Sequence, residues 1–224
     1  MSQVERAIIM AAGKGTRMKP ITNKVPKPLV KVNGKAMIEG VIEKLHEQGI
    51  QEIYVVVGYL KEQFNYLKEK YNDVHLIDNP YFDTCNNISS LYVAREHLKN
   101  VIILDGDQII NNSQILEKNF DFSGYNCIYK KEINNEWMLK IKEGLVTSCS
   151  RTGGKDGWQL YSVSRWNEED GKRLKKHLEI EIDEKKNIEI YWDDVALFCY
   201  LDEYQLSIKE MHNGDILEID SLDE

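Results

Sequence analysis

A short apolar run, Ala7-Ile8-Ile9-Met10-Ala11-Ala12, stops at Gly13, and no other feature constrains the fold as much. A run that is apolar at odd and even positions alike reads as a strand covered on both faces, as in a parallel sheet packed between helices. The pattern then alternates. Met37, Ile38, Val41, Ile42 and Leu45 have helical spacing, and Gly49 stands where a helix over 37–48 would stop. The β-branched run Ile53–Val57 predicts a second buried strand. Residues 59–71, with Leu60, Phe64 and Leu67 on one face, predict a second helix. Residues 87–98, with Ile88, Leu91, Tyr92 and Ala94 as their stripe, predict a third. Val101–Leu104 is a third strand, ending in Asp105-Gly106-Asp107. Such alternation implies parallel strands joined by right-handed crossovers, an α/β fold with a doubly wound, mostly parallel sheet. Ligands of these sheets bind beyond the carboxyl ends of the strands. The turns 13–17 and 105–107 both fall there, which predicts a site on one rim.

The second half reads as β-rich. Strands are expected over 126–131, 139–142, 146–150 and 159–164, with Thr152-Gly153-Gly154-Lys155 as a turn. Residues 168–185 hold a charged helix expected to be solvated, 187–192 are mixed, and 195–206 are apolar enough to be buried. With no repeat, no low-complexity tract and no Pro/Gly linker, the 224 residues are expected to form one domain with a sizeable core. Its two halves divide at about residue 125.

A formal net charge of -8 argues against a general nucleic-acid binder, which needs a basic surface. It leaves room for a nucleotide enzyme, because a few local cations and a metal can hold one triphosphate. Cys85, Cys127, Cys149 and Cys199 form no C-x-x-C pair and read as reduced structural thiols. Met1–Met10 lacks the apolar run of a signal peptide, and nothing approaches the ~18 apolar residues of a membrane span. The expectation is a cytoplasmic protein with no membrane and no nucleic-acid partner.

Gly13 and Gly15 follow the first strand directly, in Ala11-Ala12-Gly13-Lys14-Gly15-Thr16-Arg17. Glycines there let the backbone turn sharply and aim N–H groups at anionic oxygens, while Lys14 and Arg17 add charge-assisted contacts. A G-x-G alone is also compatible with a plain tight turn. The loop lacks the G-K-[ST] of a Walker motif, and Met18 stands where a dinucleotide fingerprint wants its third glycine or alanine. A second basic element follows: Pro26 and Pro28 flank Lys27, predicting a stiff, extended presentation of one ammonium. Asp105 and Asp107 can supply the oxygen ligands magnesium prefers, although a single loop aspartate is as often a cap.

The sequence Ala11-Ala12-Gly13-x-Gly15-Thr16-Arg17, followed by Pro26-Lys27-Pro28-Leu29, resembles the signature of the sugar-phosphate nucleotidyltransferase superfamily, whose fold is Rossmann-like. The resemblance implies that Ala11, Ala12 and Gly13 meet base and sugar, Arg17 holds the outgoing phosphates, and Lys27 neutralises the α-phosphate under attack. It extends nucleotide binding to Lys14, Gly15, Thr16, Gly58, Asn87, Ser89 and Asp105. It implies Mg²⁺ held by Asp107 and by Asp220 in Glu218-Ile219-Asp220, with Asp105 behind them. Relatives in that superfamily usually run on beyond the equivalent of Glu224, so a homo-oligomer and a fusion to a further C-terminal domain both stay open.

Segments spread along nearly the whole chain, among them Gly58-Tyr59-Leu60-Lys61, Asn86–Tyr92, Asn135-Glu136-Trp137, Ser162–Trp166 and Tyr191-Trp192-Asp193-Asp194, resemble the bacterial CTP:phosphocholine cytidylyltransferases. A quaternary ammonium has no N–H to donate, so aromatic faces and carboxylates must hold it. Trp137, Trp166, Tyr191, Trp192, Asp193 and Asp194 are candidates for such a box, and each aromatic is equally readable as core. Lys130 is a candidate for the acceptor phosphate. The resemblance implies CTP and a small phosphorylated amino alcohol as substrates. 2-Aminoethylphosphonate, a sugar 1-phosphate and a non-catalytic CTP-binding regulatory role are the alternatives.

Overall fold

In the computed structural model, which describes residues 1–219, strand β1 (Arg6–Ala11) lies inside a nine-stranded sheet. Its side chains divide between two cores. Ala7, Ile9 and Ala11 pack with Ile38, Val41, Ile42 and Leu45 of helix α1 (Met37–Glu47). Ile8, Met10 and Ala12 face the opposite core with Ile88, Leu91, Trp166 and Trp192. This two-sided burial is why the run carries no polar alternation. Helix α1 stops as expected: Gly49 takes φ 71°, its amide donates to the His46 carbonyl at 2.8 Å, and Ile50 N–H reaches Leu45 O at 3.0 Å. These are the two hydrogen bonds of a Schellman stop.

Strand β2 (Ile53–Val57), helix α2 (Tyr66–Lys70), strand β3 (Val74–Asp78), helix α3 (Ile88–Val93) and strand β4 (Val101–Asp105) complete the parallel half. The parallel strands lie in the order β3-β2-β1-β4, so the chain's direction of winding switches between β1 and β4. Two expectations change. The helix predicted over 59–71 is only α2 after a 3-10 turn (Lys61–Phe64), because Leu60 is left-handed at φ 49° and Tyr59 is tied outward, amide to Ala12 O and hydroxyl to Thr22 O. The helix predicted over 87–98 shortens to α3 and a 3-10 turn (Arg95–His97). Strand β3 was not legible as a strand: it lies at the sheet's edge, and only Val74 of its five residues is buried.

In the second half, β5 (Gln108–Ile110) precedes β6 (Gly124–Lys130), β7 (Met138–Lys142), β8 (Leu145–Ser150) and the long β9 (Gly157–Trp166). Strand β9 joins the halves. One edge pairs with β6; the other pairs with β4 along Val163–Trp166 and with β7 along Trp158–Gln159. Helix α4 (Glu168–Glu179), capped by the Asn167 side chain on Asp170 N–H, is amphipathic rather than solvated all round. Leu174, His177 and Leu178 are buried, and Gly171 packs so close to the Leu98 carbonyl that a methyl group would not fit. Strand β10 (Ser207–Glu210) adds to β6 in parallel, and β11 (Ile216–Glu218) pairs antiparallel with β5, setting Glu218 opposite Gln108. Among the described residues no helix is long and apolar enough to cross a membrane.

Candidate active site

Strand β9 leaves β4 at Val163 and meets β7 at Gln159, so the sheet parts along Leu160–Ser162. A cleft of about 340 Å³ opens there, with Leu160 and Ser162 in its floor. A second cavity of about 170 Å³ adjoins it beside β1. Lys27, Asn87, Asp105 and Asp107 line both, which makes them the junction of a two-lobed site.

The smaller lobe follows from the switch point. Ala11, Ala12, Gly13 and Gly15 line it, with Pro28 opposite. Gly15 is needed for two reasons: its φ of 59° is left-handed, and a Cβ there would stand 2.9 Å from Lys27 Cβ. The glycine turn therefore packs directly on the stem of Lys27. Lys27 itself corrects the sequence reading. Pro26 is extended, but Lys27 opens a 3-10 turn (Lys27–Leu29), closed by Leu29 N–H to Pro26 O at 2.9 Å and Val30 N–H to Lys27 O at 3.0 Å. The rigidity expected from the prolines is present, in a different backbone conformation. Lys27 Nζ lies 2.7 Å from Asp107 Oδ2, and their side chains are 11% and 25% exposed. Arg17, at the end of the glycine turn, lines the larger lobe.

The opposite wall is acidic. Asp105, Asp107 and Glu218 all face the cleft. The Asp105 carboxyl is held well above the usual carboxylate range, first by burial and then by the charge of Asp107, with a hydrogen bond from Ser162 opposing. Glu218 adds to that repulsion and accepts a hydrogen bond from Gln108 Nε2 at 3.1 Å. Clustered carboxylate oxygens are hard ligands of the kind that fit a divalent cation such as magnesium. Among the described residues there is no group of three or more His, Cys, Asp or Glu side chains arranged to hold a metal. One or two carboxylates suffice where substrate phosphates complete the coordination sphere. Asp220, the other expected ligand, lies outside the described residues.

The far end of the larger lobe is aromatic. Trp137 and Tyr191 meet edge to face, with ring centroids 5.6 Å apart and planes at 90°, and Asp193 lies beside them in the wall. Asp193 rides on a single helical turn (Trp192–Asp194), whose Trp192 points into the core against Tyr125. Its carboxyl is pushed up to about 8, chiefly by burial and next by Asp194. The Tyr125 hydroxyl beside it opposes that rise. Gln108 Oε1, in the same wall, is buried with no hydrogen-bond partner among the described residues, which is uncommon in folded proteins.

Several expected site residues stand elsewhere. Trp166 is a core residue with no exposed surface, in edge contact with Tyr125 and Trp192, so it cannot touch an acceptor. Asp194 turns away from the cleft to Arg151. Lys130 reaches Asn213 at 2.9 Å and lines neither lobe. Lys14 pairs with Asp83 on the exposed rim, and Thr16 opens the 3-10 turn that carries Arg17. Gly58 and Ser89 lie behind the residues of the smaller lobe: a Cβ on Gly58 would strike Phe82 and Ala12 O, and Ser89 bonds Asn79 and Asn86. Asn87 lines both lobes, its Oδ1 held by Trp192 N–H at 2.9 Å. Gln108, Glu136, Ser162 and Glu218 also line the cleft but were not singled out as site residues from sequence. Glu136 and Glu218 sat inside the quoted segments, next to Trp137 and before Asp220, and that adjacency was the available signal.

A switch-point glycine turn, a buried lysine on an aspartate and a carboxylate rim describe a nucleotidyltransferase. In agreement, the MobA-like NTP transferase domain matches residues 7–147, and the chain belongs to that family. Within it, the choline-phosphate cytidylyltransferase of Streptococcus pneumoniae is 36% identical over 217 residues, covering 97% of this chain and 93% of that protein. The 2-aminoethylphosphonate cytidylyltransferase of Lancefieldella rimae is 37% identical over 224 residues, covering 97% and 89%. The solved structure of the CTP:phosphocholine cytidylyltransferase from Streptococcus pneumoniae matches with a TM-score of 0.91 at 36% identity, over 99% of this chain and 95% of that one.

Proposed function

We propose that this chain transfers CMP from CTP to phosphocholine in the cytoplasm, where CTP is made, giving CDP-choline and pyrophosphate. The carrying observation is the join between the lobes. An aromatic and carboxylate pocket suited to a trimethylammonium opens onto a buried lysine suited to a phosphate. Two relatives with the same printed activity, 36% and 31% identical over 97% of the chain, support the reading.

The nucleotide lies along Ala11–Gly15, and Arg17 takes the outgoing phosphates. A phosphate monoester is already nucleophilic at neutral pH, so no general base is required. An acceptor phosphate oxygen attacks the α-phosphorus in line, and the bond to pyrophosphate breaks. Lys27 neutralises charge developing on the α-phosphate, while Trp137, Tyr191 and Asp193 orient the acceptor by its ammonium. Asp107 would hold magnesium, with Asp220, outside the described residues, as the further ligand the resemblance implies, and the ion would supply Lewis-acid neutralisation of the phosphates.

A second acceptor has a specific observation in its favour: the 2-aminoethylphosphonate enzyme is as similar to this chain as the choline-phosphate enzyme. Its primary ammonium would use Asp193 more and the aromatic faces less. A pyrophosphate-release assay with CTP and phosphocholine, 2-aminoethylphosphonate or a sugar 1-phosphate separates the readings. Phosphocholine is expected to give the highest kcat/KM; a higher value for either other acceptor overturns the assignment.

A further inference from the structure

The two aromatic walls of the acceptor lobe come from distant parts of the chain. Trp137 precedes β7, and Tyr191 precedes the turn that carries Asp193. Their edge-to-face contact brings them together, but a pair of rings at a cleft mouth needs something to hold its spacing. Tyr191 is 47% exposed, so packing alone does not fix it.

Arg151, directly after β8, touches both sides of this wall. Its Nε and Nη2 donate to Asp194 Oδ1 at 2.9 and 2.5 Å. Asp194 Oδ2 in turn accepts from Tyr191 N–H at 2.8 Å, so the guanidinium is one carboxylate away from the Tyr191 backbone. The same guanidinium lies 4.0 Å from the Phe198 ring centroid and 5.7 Å from that of Trp137. Phe198 packs edge-on against Trp137, centroids 5.6 Å apart. The planar cation therefore spans Trp137, Phe198 and, through Asp194, Tyr191. A lysine cannot reproduce this, because it is a point charge without a flat face or a fixed fork of donors.

The charge balance points the same way. The Asp194 side chain is 3% exposed and that of Arg151 is 47%, so the guanidinium covers a buried carboxylate from the surface. A buried carboxylate stripped of its partner is strongly unfavourable. With Arg151 in place, Asp194 is spoken for, and Asp193 is the neighbouring carboxylate that faces the cleft.

We propose that Arg151 is a positioning residue for acceptor recognition: it sets the Trp137–Tyr191 spacing, so that a quaternary ammonium is preferred to a primary one. This rests on the acceptor reading above. The test is steady-state kinetics of Arg151→Ala and Arg151→Lys with phosphocholine and phosphoethanolamine, alongside thermal melts and CTP titrations. Arg151→Ala is expected to raise KM for phosphocholine on the order of tenfold, the scale of a lost desolvated cation–π contact. The KM for CTP and kcat should hold, and the preference for phosphocholine over phosphoethanolamine should narrow, because the loosened ring pair loses its fit to a trimethylammonium while Asp193 still faces either ammonium. Arg151→Lys should fall between and serves as the informative variant if Arg151→Ala does not fold. An unchanged phosphocholine KM in a folded variant overturns the proposal. So does a parallel rise in both acceptor KM values and the CTP KM, which marks general loosening. If the unsubstituted protein uses neither acceptor, the functional reading fails first, and that result is separate.

Discussion

Lys27 Nζ and Asp107 Oδ2 stand 2.7 Å apart where the glycine turn after β1 meets the aspartate turn after β4. Strands β1 and β4 are neighbours, with Met10 in register with Asp105, so two loops distant in sequence meet over one sheet edge. Each residue holds the other's charge. A bound triphosphate would take Lys27 over, leaving Asp107 for a cation. Replacing Lys27 by Ala is therefore expected to lower kcat by roughly 10²–10³-fold, the scale of one lost charge-stabilising donor. Pyrophosphate release measures turnover and a thermal melt checks folding. Near-normal turnover in a folded Lys27→Ala protein would remove the role given to this residue.

The two tryptophans considered for the acceptor separate cleanly. Trp166 is wholly buried, and truncating it to Ala should cost about 3–5 kcal/mol of stability as a large core cavity opens. Trp137 lines the cleft, and Trp137→Ala should raise the acceptor KM while shifting the denaturant midpoint far less. Chemical denaturation and acceptor kinetics on both variants check this. The reverse pattern would mean that the wrong ring has been placed at the site.

Asp193 should make acceptor binding pH-dependent. Its carboxyl is pushed up to about 8, so the folded chain keeps a proton that the unfolded chain loses near 3.8. The stability this contributes is complete below 3.8 and is lost as pH rises through about 8. Asp193→Asn cannot ionise, so its melting temperature should gain on that of the unsubstituted protein between about pH 4 and about pH 8 and hold that gain above it. An ammonium prefers the ionised form, so the acceptor KM should fall through the same window and become flat in Asp193→Asn. A flat profile in the unsubstituted protein would count against Asp193 as the ammonium's partner.

Gly15 links the nucleotide turn to the lysine. Gly15→Ala forces a side chain into a left-handed conformation and against Lys27 Cβ, so a loss of about 1–2 kcal/mol is expected. Because the neighbour that must yield is Lys27, kcat should fall too. Gly34, also left-handed at φ 85° but with open space around its Cβ position, is the control: Gly34→Ala should cost stability and leave turnover alone.

The parallel half was legible because its signals are local. An unbroken apolar run declares two-sided burial, helical spacing declares α1, and Gly49 stops it where the spacing ends. The glycine turn after β1 was legible for the same reason, since Gly13, Gly15 and Arg17 lie within five residues. The edge strand β3 escaped because a half-buried edge carries little alternation, and the helix over 59–71 was overcalled because spacing does not register the left-handed turn at Leu60.

Side-chain chemistry in the sequence determined that this chain can carry a glycine-turn nucleotide site, an acidic rim and enough aromatics to box an ammonium. Tertiary structure alone decided which aromatics meet in the cleft. Trp137 and Tyr191 converge because β9 leaves β4 for β7 and opens the sheet between them, while Trp166, on the same strand, is sealed beneath it. Convergence depends on distances through space between segments far apart along the chain, and residue type does not encode those distances one position at a time. The same limit hid Arg151, whose partners Trp137, Asp194 and Phe198 become its neighbours only when the second half folds over the cleft.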